Sequence, residues 1–71
     1  MSEEAIVRQL TRSAISHLIA RVMSERSLSM PDAMKFVYES SLFSKIQDPG
    51  TGLYREGPVF LYSLLCEKSA T

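Results

Sequence analysis

The most reactive side chains in this 71-residue sequence are a single cysteine, Cys66, and a single histidine, His17. As a catalytic pair they would be a thiolate nucleophile and its base, which need hydrogen-bond contact in an electropositive, partly open setting. The sequence argues against that setting. Cys66 sits in the most apolar segment of the chain and His17 at the edge of an apolar helical face, and a thiol among apolar neighbours is inert. One His and one Cys fall short of the three or four ligands that zinc takes, and a lone Cys excludes an intrachain disulfide. Carboxylates come as Glu3-Glu4, Glu39 with Asp48, and Glu56 with Glu67; a general acid needs burial or a like-charged neighbour, and no burial is foreseen for these. Asp48-Pro49-Gly50-Thr51-Gly52 lacks the alternating acids and closing glutamate of a calcium loop, and no Gly-Lys-Ser/Thr follows it as a phosphate loop requires. Ser13, Ser16, Ser40 and Ser41 stand in no nucleophile elbow. The expectation is a non-enzymatic protein with no catalytic, cofactor-binding or metal-binding residues.

The elements that would position any site are easier to read. Ser2 is placed to cap a helix whose first turn carries Glu3 and Glu4, favourable against the N-terminal dipole. No Pro or Gly interrupts the chain from there to Glu25, and Arg26-Ser27 closes the helix with a basic residue. At 100° per residue Val7, Leu10, Ala14, Leu18 and Val22 share a face, widened by Ile15 and Ile19, with Gln9, Arg12, Ser13 and Ser16 opposite. Leu28-Ser29-Met30-Pro31-Asp32 starts a second helix: Ser29 as N-cap, Pro31 in the first turn, and Leu28 as a hydrophobic staple on Ala33. That helix runs to about Ser40, with Met30, Ala33, Met34, Val37 and Tyr38 on one face. Residues 42–46 read as a short helical turn. Asp48-Pro49-Gly50-Thr51-Gly52 is a structured turn, and Leu53-Tyr54 returns toward the core as an extended pair. Gly57-Pro58 opens the last element; its Pro-first start and its length favour helix over a strand pairing with Leu53-Tyr54. The fold expected is all-α: one domain over residues 1–71, a small helical bundle of three main helices plus one short helical turn, with a Gly/Pro-rich loop before the last helix.

Eight basic residues balance eight acidic ones, so the chain as a whole has no electrostatic pull toward nucleic acid or anionic lipid. The halves differ little: residues 1–35 carry five basic and four acidic residues (+1), residues 36–71 three and four (−1). Residues 28–46 can nonetheless be threaded onto a helix-turn-helix, with Ala33 in its first helix, Ser40-Ser41 at the turn and residues 42–46 as a recognition helix. That recognition helix would hold one basic residue, Lys45, and the turn lacks its glycine. DNA binding by this degenerate motif is therefore the alternative, not the leading reading. The N-terminus is acidic where a signal peptide is basic, and the densest apolar stretch, residues 59–66, is far short of the ~20 residues of a membrane span. A soluble cytoplasmic setting without membrane contact is expected.

Protein association has the stronger physical support. On the last helix Phe60, Leu61, Leu64 and Leu65 point one way and Val59, Tyr62 and Cys66 another, leaving only Ser63 and Glu67 as a polar strip. A helix apolar nearly all round is either central in a bundle or shared with another chain, and a core in a chain below ~70–80 residues rarely suffices alone. A homodimer is expected, with Phe60, Leu61, Leu64 and Leu65 as the interface. The small back face of the first helix, including Ser16 and Ala20, is the other candidate seam, since small side chains let a second helix approach closely.

Asp48-Pro49-Gly50-Thr51-Gly52-Leu53-Tyr54, followed by Gly57-Pro58-Val59-Phe60-Leu61-Tyr62-Ser63-Leu64-Leu65, resembles a small bacterial all-helical family of unknown function with a Thr-Gly-Leu-Tyr turn motif. Leu28-Ser29, Ala33, Tyr38, Ser40-Ser41 and Phe43 would occupy that family's middle block, so the resemblance extends from near Leu18 onward. Gly57 departs from it, standing where a serine cap would be expected. The resemblance implies no activity; association with toxin–antitoxin-like genes would imply a partner-binding role. The function expected is a small interaction or regulatory module that self-associates and docks a second protein.

Overall fold

The computed structural model describes residues 2–69 and is all-α, with no strand among them. Four α-helices follow in order: α1, Glu3–Arg26; α2, Met30–Tyr38; α3, Ser41–Gln47; and α4, Pro58–Ser69. Two single-turn 3-10 helices, Pro49–Thr51 and Leu53–Arg55, fill the connection between α3 and α4. The segment expected to be extended at Leu53-Tyr54 is thus helical. Gly52 supplies the reason: at φ 70° it turns the chain left-handed between the two 3-10 turns, and Arg55 N–H then bonds to Gly52 O at 3.2 Å.

α1 begins as its sequence dictates, with the Ser2 hydroxyl accepting from Ala5 N–H at 3.3 Å. It ends at Ser27, which takes φ 53° and closes the helix through Leu28 N–H to Met23 O at 3.2 Å. That left-handed residue turns the chain within three residues, so α1 and α2 form an αα-hairpin. Ser29 makes no side-chain cap bond, contrary to expectation. Its carbonyl still accepts from Ala33 N–H at 2.9 Å, and with Pro31 at the helix start one backbone donor fewer needs a partner. Ser40 also departs from a simple cap. Its hydroxyl donates back to Val37 O at 2.6 Å, closing α2 rather than opening α3.

The core is formed where α1 meets the other three helices. Leu18, Val22, Ala33, Val37, Ile46, Leu61 and Leu65 are completely buried, with Leu42, Ala14, Ile19 and Tyr54 close behind. Leu10, expected on the core face of α1, is 44% exposed. It lies about 80° around the helix from Leu18, and the core has rotated the other way, toward Ile19 and the α2 side. Tyr38 and Phe43 hold α2 to α3 across their turn, with ring centroids 4.8 Å apart and planes tilted by 53°. Thr51 fastens the end of α3 to the following turn: its hydroxyl lies 2.6 Å from Lys45 O and 2.9 Å from Asp48 O, and accepts from Leu53 N–H.

Candidate interaction groove

The reactive residues are not brought together. The Cys66 sulfur meets the Arg26 Nη2 at 3.8 Å, whereas His17 lies nine residues earlier on α1, about 13 Å along the axis at 1.5 Å per residue. Arg26 also spreads its guanidinium over the Phe36 ring, 4.3 Å from the centroid. This cluster ties the end of α1 to α2 and α4. A hydrogen bond to Cys66 is the main cause that pushes the Tyr62 phenol above its ordinary range, and desolvation adds to it. Among the described residues no three of His, Cys, Asp and Glu gather as a metal site would need, and no helix is long and apolar enough to cross a membrane.

The expected association surface on α4 divides in two. Leu61 and Leu65 are fully buried within the chain, so they are core and not interface. Leu64 is half-buried against that core, and only Phe60, 47% exposed, presents itself outward. The reason is coverage: α1 and α3 both pack against α4 and enclose Leu61 and Leu65.

The other candidate pair, Ser16 and Ala20, is exposed and lines a surface groove. Its α1 side is formed by Arg12, Ile15, Ser16, Ile19, Ala20 and Met23. Met30, Met34 and Tyr38 of α2 face them, with Phe43 and Gln47 of α3 completing the lining around ≈ 520 Å³. The groove arises from the amphipathicity of α2. Its apolar positions span a wider arc than α1 can cover: Ala33 and Val37 reach the core, while Met30 at 57% and Tyr38 at 46% remain exposed. Among the described residues Met23, Met30 and Met34 line the groove, and methionine is the unbranched, polarisable side chain that adapts to differently shaped partners. A second depression of ≈ 730 Å³ shares Arg12, Ile15 and Gln47 with it and continues along α1 to Glu3 and Glu4.

The sequence singled out Ser16 and Ala20 as small residues on a helix back. It did not foresee that Met30, Met34, Tyr38 and Phe43 would rise beside them. The available signal was the width of the apolar arc on α2, five residues in nine, which exceeds what one neighbouring helix covers.

The proposed helix-turn-helix segment does contain two helices, α2 and α3, joined by a short turn. α3 exposes Ser41, Ser44, Lys45 and Gln47, so its outer face carries a single cation. No protein-family model matches the chain, and no curated protein or solved structure shows a significant match to it.

Proposed function

We propose that this chain is a non-enzymatic interaction module, a small helical bundle that binds a protein helix in the groove between α1, α2 and α3. The observation that carries this reading is the methionine- and aromatic-lined groove whose α1 side includes the small residues Ser16 and Ala20. Helix-in-groove recognition uses such a trough, with apolar anchors at i, i+3/i+4 and i+7 of the incoming helix. The test is chemical-shift mapping of the ¹⁵N-labelled chain during titration with amphipathic helical peptides. Perturbation centred on Ala20, Met30, Met34 and Phe43 supports the reading, and shifts scattered over the surface refute it.

Self-association is a second reading, favoured by one pattern on the outer face of α1. Ile6, Leu10, Ser13, His17, Ala20 and Ser24 follow at spacings of 4, 3, 4, 3 and 4 and are all exposed. Antiparallel pairing of two α1 helices would set Ile6 opposite Ser24, Leu10 opposite Ala20, and Ser13 opposite His17, so each larger side chain meets a smaller one. A two-fold dimer requires this kind of self-complementary patch. Sedimentation equilibrium tests it: Leu10→Glu should dissociate a dimer built this way, and Phe60→Glu should not. A DNA-binding role for residues 28–46 has less support, since a DNA-binding face is ordinarily basic and the exposed Lys35 and Lys45 of this segment are balanced by the exposed Asp32 and Glu39.

A further inference from the structure

We infer that the occupant of the groove is an amphipathic helix from another protein, carrying a carboxylate at the end that lies over Arg12. This rests on the groove being a helix-binding site and adds to it the chemistry and placement of the partner. The shape argument comes first. Ser16 and Ala20 lie one turn apart on α1, so a helix can approach its backbone there without displacing a large side chain. From Arg12 to Met23 the α1 wall rises about 17 Å at 1.5 Å per residue, which is about three helical turns. An incoming helix of that length presents three anchors to the Ile19, Met23, Met34 and Phe43 surfaces.

The charge argument decides the end group. Among the described residues Arg12 is the one charged residue lining the groove, and it stands at one end of it. It is exposed, and the ion pair found among the described residues, Arg21 with Glu25 at 3.2 Å, does not involve it. Arg8, one turn earlier on the same side of α1, lines the adjoining depression and is likewise outside that pair. The acids of that depression, Glu3 and Glu4, lie a further turn or more away, against the positive end of the α1 dipole. A helix seated from Met23 to Arg12 therefore ends in a field that favours a carboxylate and penalises an ammonium. A free fatty acid offers the same head group on a flexible chain. The small side chains of Ser16 and Ala20 on the α1 wall leave room for the wider, rigid rod.

The experiment is fluorescence anisotropy of the full chain with two labelled amphipathic peptides of about 15 residues. They share leucine anchors and differ only in a terminal pair of Glu or Lys. The Glu peptide should bind about threefold or more tightly than the Lys peptide at low salt, with the gap closing as salt rises. Arg12→Glu, an exposed substitution whose fold is checked by circular dichroism, should reverse the order. Met30→Ala with Met34→Ala should weaken both peptides equally. Equal affinities that Arg12→Glu leaves unchanged, but that the methionine variants lower, overturn the carboxylate assignment while the helix groove stands. Failure of both peptides to bind overturns both. Tighter binding of laurate than of the Glu peptide, or a dimer of the chain that Arg12→Glu dissociates, assigns the groove to a different occupant and overturns the inference.

Discussion

The guanidinium of Arg26 sits over the Phe36 ring, 4.3 Å from its centroid, while its Nη2 reaches the Cys66 sulfur at 3.8 Å. Residues from α1, α2 and α4 thus meet at one surface point, over the end of the helical hairpin. Arg26→Gln should lower the melting temperature, and Phe36→Leu should lower it by a similar amount. The double variant should fall by less than the sum, because either change alone removes the cation–ring contact. Additive losses in thermal denaturation would show that the stacking contributes nothing of its own.

Two adjacent residues on α4 should respond in opposite ways. Leu61 is fully buried, so Leu61→Ala removes packed atoms and leaves a cavity costing about 2–5 kcal/mol. Phe60 is 47% exposed, so Phe60→Ser should change stability by no more than about 0.5 kcal/mol. Urea unfolding of both variants checks the pair.

Gly52 has φ 70° and nothing within 4 Å of the position a Cβ would occupy. A Cβ there meets no neighbour, so the positive φ of the backbone is the cause assigned to the loss expected in Gly52→Val. The left-handed region disfavours a branched side chain by at least ~1 kcal/mol. A lowered urea midpoint with an unchanged slope is expected; an unchanged midpoint would mean the turn relaxes freely.

The Tyr62 phenol is held above its ordinary range, chiefly by a hydrogen bond to Cys66. A raised folded-state value means that the neutral phenol is the form the fold prefers. Its stabilisation is therefore complete below the ordinary tyrosine titration near pH 10 and is lost as the pH climbs through the raised folded value. Stability measured from pH 9 upward should decline, and Tyr62→Phe should decline less steeply. Parallel curves for the two proteins would remove Tyr62 as the cause.

Signals acting over a few residues were legible without the structure. Ser2, Arg26, Pro31, Asp48, Gly52 and Pro58 each bias backbone or capping geometry within one turn, and the starts of α1, α2 and α4 follow from them. The helical nature of the last element followed likewise from Pro58 and its length. The side each helix turns inward was legible only in part. Leu18 and Val22, and Ala33 and Val37, sit at the centres of their apolar arcs and are buried. Leu10, Met30, Phe60 and Leu61 lie where the arcs could be covered from more than one direction, and periodicity cannot say which neighbour arrives. Tertiary packing decided that. It placed Leu61 and Leu65 in the core instead of a dimer seam, and it left Met30 and Tyr38 beside Ser16 and Ala20 as an open groove. The physical reason is that a cap or turn is set by its own chain neighbours, whereas a groove exists only in the gap between helices that are distant in sequence.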